Sequence, residues 1–253
     1  MFDLIATRYD FINRVLAVGM DVHWRQVMVE IIDASVPRDA RLLDMATGTA
    51  DVALLLHKQM PQAHIVGLDP SNNMLDVGRT KTAHTDHIEL QQADAQQFAY
   101  QFGPNHFDGA TMAFGIRNVP NRNKALCEIH QVLKDQARFC ILEFSEPDDS
   151  FGVMGRVARW FIRHAVPTVG AILSGAPREY WHLQNSIQQF PSPKEFGHIL
   201  ESLECAGEKA FRFDEIRHLN FGSVQIYSLV ALKQSAADSK KEHAALEDAT
   251  ESQ

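Results

Sequence analysis

The stretch Arg41-Leu-Leu-Asp-Met-Ala-Thr-Gly-Thr-Ala-Asp51, with Ile65-Val-Gly-Leu-Asp69 behind it, decides the fold. Leu42, Leu43 and Met45 read as a buried strand that runs into a turn of small residues, Ala46 to Ala50. A helix is expected from near Asp51, carrying Val52, Leu54, Leu55 and Leu56. The second stretch is another apolar strand, ending in an acid about 20 residues past the turn, the spacing of a dinucleotide-type βαβ unit. Small residues at such a turn let a ligand lie against bare backbone N–H groups at the head of a helix. The carboxylate after the second strand accepts hydrogen bonds from two ribose hydroxyls.

The make-up of the turn narrows the ligand. A nicotinamide or flavin site wants G-x-G-x-x-G, because a pyrophosphate must approach the backbone closely. Here Gly48 is the one glycine, and Thr47, Thr49 and Ala50 fill the neighbouring places. That suits a smaller and less anionic group. S-adenosylmethionine has a ribose and an adenine but no phosphate, and Asp44 is a carboxylate for its amino-acid end. The acid at Asp69 and a further Asp94-Ala95 after a third apolar run strengthen this reading.

At 253 residues the chain has room for one α/β domain with an insertion. The expected organisation is a single domain over 1–233, with a helical lead-in over 1–40 and a cap insertion at 146–190, followed by a disordered tail over 234–253. A formal net charge of −8 argues against a surface built to hold nucleic acid. Cys127, Cys140 and Cys205 are too scattered for a zinc site and odd in number, so reduced thiols and a cytoplasmic setting are expected, with no metal. Met1-Phe-Asp-Leu-Ile-Ala does not read as a signal peptide, and no apolar run approaches the roughly 18 residues that span a bilayer. Nothing in the sequence speaks to oligomeric state.

In the lead-in, Trp24, Val27, Met28, Ile31 and Ile32 fall on one helical stripe, and Gly19 with Asp21 marks the break before it. Periodicity alone favours a plain cover for the sheet over a lid in which Tyr9, Asp10, Asn13, His23, Trp24 and Arg25 face a ligand. Ser71 is placed to cap a helix with Met74 and Leu75. Strands are expected at Ile88–Ala93, Phe107–Phe114 and Arg138–Phe144. In an open parallel sheet the loops beyond the carboxyl ends converge, so Gly115-Ile-Arg-Asn118 arrives at the same edge as Gly48, Asp69 and Asp94. Arg117 and Asn118 either brace the next helix or face a substrate. With Asn121 available as a cap, the second role is favoured. Glu143 reads equally as a buried partner for Arg117 or as a solvated strand end.

From Phe151 to Ala165, Val153, Met154, Val157, Trp160 and Phe161 share one helical face and Arg156, Arg159 and Arg163 another. Such a helix is a membrane-surface patch or, more commonly, a cap whose arginines face solvent. The two are compatible if the substrate is a lipid that must leave the bilayer. Ser192-Pro-Lys-Glu-Phe opens a further helix, and Ala210–Phe213 with Val224–Ala231 read as an edge hairpin.

Three motifs go beyond fold. Tyr9-Asp-x-x-Asn13 continuing to Trp24-Arg25, Phe114-Gly-Ile-Arg-Asn-Val119, and Val132-Leu-Lys134 leading to Leu142-Glu-Phe-Ser145 resemble the signatures of the ubiquinone/menaquinone C-methyltransferases. The similarity runs over nearly all of residues 2–233. It implies a Rossmann-like class I methyltransferase fold, a mostly parallel seven-stranded sheet with a C-terminal antiparallel hairpin and a helical cap. It implies S-adenosyl-L-methionine as co-substrate and methyl transfer to a ring carbon of a prenylated quinol. Thr49 in the turn, Asp69 on the ribose and Asp94-Ala95 at the adenine then become donor contacts. Arg117, Asn118 and Tyr9 are the expected catalytic residues, with His23 a less favoured base. A transient membrane-surface contact is compatible with a lipid substrate. The rivals are a methyltransferase for another small hydrophobic molecule and a non-catalytic scaffold of a quinone-synthesis complex.

Overall fold

A computed structural model describes residues 14–15, 17–147, 149–165, 185–187 and 189–233. Tyr9, Asp10, Asn13, residues 166–184 of the cap insertion and the tail from 234 lie outside the described residues.

Among the described residues the seven expected strands are joined by a short pair, β6 and β7, that was not expected: β1 (Arg41–Met45), β2 (His64–Asp69), β3 (Ile88–Gln92), β4 (Phe107–Ala113), β5 (Leu133–Phe144), β6 (Glu204–Cys205), β7 (Glu208–Lys209), β8 (Phe211–Leu219) and β9 (Val224–Ala231). Seven of them form one sheet in the order β3-β2-β1-β4-β5-β9-β8. Five run parallel, and β9 enters antiparallel to both β5 and β8. The chain reverses its direction of travel across the sheet between β1 and β4, where an open α/β sheet presents its crevice.

Alternation of side chains along the strands builds two cores. Leu42, Ile65, Leu142 and Ile226 point to one face, and helices α1 (Met20–Asp33) and α2 (Asp51–Gln59) cover it. Leu43, Leu68, Ile141 and Tyr227 point to the other. Helix α3 (Asn72–Thr82) packs beside β2 and β3, while α4 (Arg122–Val132) and α6 (Pro193–Glu201) cover the second face; α5 (Gly152–Trp160) lies between them in the chain. In α1 the buried positions are Asp21, Trp24, Arg25, Met28, Val29 and Ile32, one stripe at helical spacing. Three helix starts use the caps that the sequence offers. Ser71 Oγ accepts from Met74 N (3.2 Å), Asn121 Oδ1 accepts from Lys124 N (3.0 Å), and Ser192 with Glu195 closes a capping box.

Several expectations are corrected. Strand β5 begins at Leu133, not Arg138, with a register shift against β4 between Phe107 and Gly109. Within that added stretch Gln136 takes φ 59°, a left-handed conformation that favours glycine. Strand β8 runs to Leu219, not Phe213, because an edge strand keeps polar Glu215, Arg217 and His218 wet and so resembles a turn in sequence. The cysteines are not all free. Cys127 on α4 and Cys205 on β6 form a disulfide, a pairing 78 residues apart that folding alone brings together, while Cys140 is free and buried. Burial pushes the Cys140 thiol up to about 12, so it stays protonated and inert.

The apolar face of α5 is turned outward. Val153, Met154, Val157, Trp160 and Phe161 are between 40 and 64% exposed, joined by Phe221 (54%) from the turn before β9. The helix instead seats on Gly155 and Ile162, while Arg159 donates to Pro147 O (2.7 Å) and Arg163 pairs with Glu146 (2.5 Å). Of the arginines expected to face solvent, Arg156 and Arg163 do so, while Arg159 is half-buried. No helix among the described residues is long and apolar enough to cross a membrane.

Candidate functional site

The turn after β1 is held by an unusual backbone. Ala46 (φ 56°), Gly48 (φ 55°) and Ala50 (φ 67°) all take left-handed conformations, two of them without the relief of a glycine. Hydrogen bonds explain why they hold. Thr47 N donates to Leu68 O (3.0 Å), and Gly48 N donates to Asp69 Oδ2 (2.9 Å). The other oxygen of Asp69 accepts from Ser71 N (2.9 Å), so one carboxylate ties the first turn to the start of α3. Thr49 is buried, and Lys81 reaches it (3.3 Å) while pairing with Asp51 (2.5 Å).

Asp44 sits beneath this turn, 1% exposed. Thr111 Oγ1 donates to one of its oxygens (2.7 Å) and Thr47 Oγ1 to the other (2.6 Å). Burial outweighs both hydrogen bonds and raises its carboxyl to about 6. Below the ordinary value of 3.8 the carboxyl is protonated folded or unfolded, and its contribution to stability is whole. As pH rises from there to about 6, the unfolded chain releases a proton that the folded chain keeps, and about 3 kcal/mol is lost.

Asp94 lies at the end of β3, exposed, with Oδ1 accepting from Gln96 N (2.9 Å), and Ala95 beside it is buried. The rim beyond β1, β2 and β3 therefore carries three carboxylates, Asp44, Asp69 and Asp94. That donor set repels a pyrophosphate and suits a cationic, hydroxyl-bearing ligand.

Beyond β4, Phe114 takes φ 56°, strained for a bulky residue, and the chain then makes one turn of 3₁₀ helix at Ile116–Asn118. Arg117 is 7% exposed and forms an ion pair with Glu143 of β5, itself fully buried. Glu143 also accepts from the backbone N–H of Arg117 (3.3 Å) and of Phe144 (2.8 Å). Of the two readings left open for Glu143, the buried partner is observed. The Arg117 guanidinium lies 5.6 Å from the Phe144 ring centre; Phe144 stacks on Phe114 (4.5 Å), and Arg25 lies 5.6 Å from the Phe114 ring. Trp24 packs edge-on against both phenyl rings, and Arg25 pairs with Asp21. Members of all three sequence motifs, Trp24 and Arg25, Phe114 and Arg117, and Glu143 and Phe144, thus meet in one column, while Val132 to Lys134 stand at the other end of β5. Trp24 and Arg25 belong to the site's rim as well as to the sheet cover, and His23 is exposed on the outer side of α1.

Arg117 and Asn118 open on a cavity of about 350 Å³ that Arg122, Asn185, Ser186 and Gln189 also line. The Nε of Arg117 is buried without a hydrogen-bond partner. Asn118 Nδ2 makes one long bond to Phe114 O (3.5 Å), which leaves its amide oxygen toward other partners. Sequence reading did not single out Thr111 or Arg122. Thr111 was legible, as a hydroxyl in the apolar second half of β4, two residues before its end. Among the described residues no group of three or more His, Cys, Asp or Glu stands where it holds a metal ion.

Residues 1–227 match the model of the ubiE/COQ5 methyltransferase family. A demethylmenaquinone methyltransferase of Thermus thermophilus is 36% identical over 90% of this chain and 98% of its own. A ubiquinone/menaquinone biosynthesis C-methyltransferase of Geobacter sulfurreducens is 38% identical over 90% of this chain and 86% of its own. Among solved structures, a SAM-dependent methyltransferase from Aquifex aeolicus superposes with a TM-score of 0.60 at 15% identity, covering 88% of this chain and 98% of that one, a likeness of fold.

Proposed function

The chain belongs to the ubiE/COQ5 methyltransferase family, and from that premise we propose that it moves a methyl group from S-adenosylmethionine to a ring carbon of a prenylated hydroquinol, demethylmenaquinol or a methoxy-polyprenyl-benzoquinol. The observation that carries the reading is the placement of Arg117 and Asn118. A buried guanidinium with an unpartnered Nε faces a cavity at the edge of the sheet that also bears the Gly48 turn and Asp69.

The donor supplies an electrophilic methyl on a positively charged sulfur, which leaves as a neutral thioether. In this reading Asp69 takes the ribose hydroxyls, Gly48 and Thr49 lie along the donor's chain, Asp94 and Ala95 border the adenine, and Asp44 offers negative charge to the amino-acid end. On the acceptor side the hydroquinol gives up a hydroxyl proton, its neighbouring ring carbon forms the new C–C bond, and the C–H proton of that carbon departs to restore the aromatic ring. Arg117 stays protonated throughout, so it acts as cation and donor to the phenolate, with a water taking the proton. Asn118 orients the same oxygen; Tyr9, the third residue that the resemblance assigns to the chemistry, lies outside the described residues. Holding ring and donor within reach supplies much of the acceleration.

The test is methyl incorporation from labelled donor into short-chain demethylmenaquinol and demethyl-benzoquinol analogues. Incorporation on the ring carbon is expected. Tight donor binding with no turnover on any quinol supports the scaffold instead, and turnover only on other acceptors supports a different small-molecule methyltransferase.

Asp44 gives this reading a pH signature. A cationic donor favours the ionised carboxylate, so binding near pH 6 releases protons and donor affinity falls as pH drops below about 6. Calorimetry in two buffers of unlike ionisation heat reads this directly. Asp44→Asn is expected to abolish the proton release; an unchanged release assigns it to another group.

A prenyl chain resides in the bilayer, and the outward face of α5 with Phe221 gives the chain an apolar surface toward the lipid. Wild type is expected to sediment with anionic lipid vesicles, and Val157→Asp/Trp160→Glu to bind about 10- to 100-fold more weakly. Equal sedimentation of the two places the contact elsewhere.

A further inference from the structure

Arg122 opens α4, where it is out of place for helix stability. Asn121 already caps the helix, and a cation at a helix N-terminus opposes the macrodipole. No carboxylate pairs with it among the described residues. Its guanidinium is held instead by the face of Phe190, 5.0 Å away, and by one long hydrogen bond to Arg117 O (3.4 Å). Phe190 is in turn fixed against Phe196 (4.7 Å), and Phe196 against Tyr227 (5.0 Å), so the ring under Arg122 rests on the core. The Nε of Arg122 is buried and unpartnered, as is that of Arg117, and both residues line the same cavity. Glu143 is the carboxylate bound to Arg117, so the pair of guanidiniums brings one positive charge more than it neutralises. Asn185, Ser186 and Gln189 add polar groups opposite.

We propose that Arg122 receives the second ring oxygen of the acceptor, the hydroxyl remote from the carbon that is methylated, and thereby selects 1,4-dihydroxylated rings over simple phenols. The inference rests on the reading of Arg117 as the group that holds the near oxygen. A buried donor left without a partner disfavours any ligand that lacks the matching oxygen, which is how a polar site discriminates. An apolar chain at position 122 removes that penalty without touching the activated hydroxyl. Arg122 is then a binding residue that sets specificity, and Arg117 the one that lowers the barrier.

The experiment compares two short-chain acceptors, a hydroquinol and its analogue lacking only the remote hydroxyl, in wild type, Arg122→Met, Arg122→Lys and the charge-free Arg117→Met/Glu143→Leu, with donor affinity and melting temperature measured alongside. Wild type is expected to prefer the hydroquinol about 100-fold in kcat/KM. Arg122→Met is expected to lose most of that preference, through a higher KM for the hydroquinol and a lower one for the analogue, with kcat and donor affinity nearly unchanged. Arg122→Lys is expected to recover part of the preference. An equal fall for both acceptors overturns the proposal and makes Arg122 a brace for Arg117. Undiminished kcat in Arg117→Met/Glu143→Leu refutes the reading of Arg117 itself, and turnover of neither acceptor by wild type refutes the proposed reaction.

Discussion

Arg117→Ala is expected to lower turnover by about 100- to 1,000-fold, the loss seen when a preorganised donor to a developing oxyanion is removed, with donor affinity retained. It is also expected to destabilise the protein by about 3–5 kcal/mol, because Glu143, fully buried, is left without its cation. The two effects separate in a double variant. Arg117→Met/Glu143→Leu replaces a buried ion pair by apolar chains of similar size, a change that is often neutral or stabilising. Thermal melts are expected to show recovered stability while turnover on a quinol stays lost. Recovery of turnover in the double variant, or undiminished turnover in Arg117→Ala, removes the arginine from the chemistry. Glu143→Gln is intermediate: it keeps an acceptor for the backbone N–H groups but loosens the guanidinium.

Asp69→Ala is expected to weaken donor binding by about 10- to 100-fold, the worth of hydrogen bonds to a charged acceptor. The carboxylate also holds Gly48 N and Ser71 N, so the alanine variant frees the turn as well as the ribose. Asp69→Asn keeps one acceptor of the two, for the turn as for the ribose, so its affinity is expected to fall between those of wild type and the alanine variant, as titration calorimetry with the donor reads. Unchanged affinity in Asp69→Ala places the ribose elsewhere.

Much of the architecture was legible because local rules and tertiary packing agree in this chain. Leu42 and Leu43 alternate between two cores, Asp51 begins its helix where the small-residue turn ends, and Ser71, Asn121 and Ser192 cap where a short polar side chain precedes an apolar stripe. What was not legible depends on partners far apart in sequence or on direction. Glu143 reads the same in a strand whether it meets water or Arg117. The periodicity of Val153, Met154, Val157 and Trp160 defines a face but not the side on which the protein lies. Arg122 looks like a solvated charge until Phe190, 68 residues on, is seen beneath it. The left-handed conformations of Ala46, Ala50 and Phe114 are invisible for a plainer reason: propensity assigns them to residues that the surrounding hydrogen bonds and stacked rings then overrule.

The stacked column of Arg25, Phe114, Phe144 and Arg117 has a consequence for the order of assembly. It joins positions from 25 to 144, and contacts so distant along the chain bear the largest loop-closure cost and form late on the way to the native state. A nascent chain with β1 and β2 paired already offers the donor's turn, yet Arg117 is set only when α1, β4 and β5 have all docked. Under the proposed roles, the donor's turn is therefore expected to form before the arginine that makes use of it.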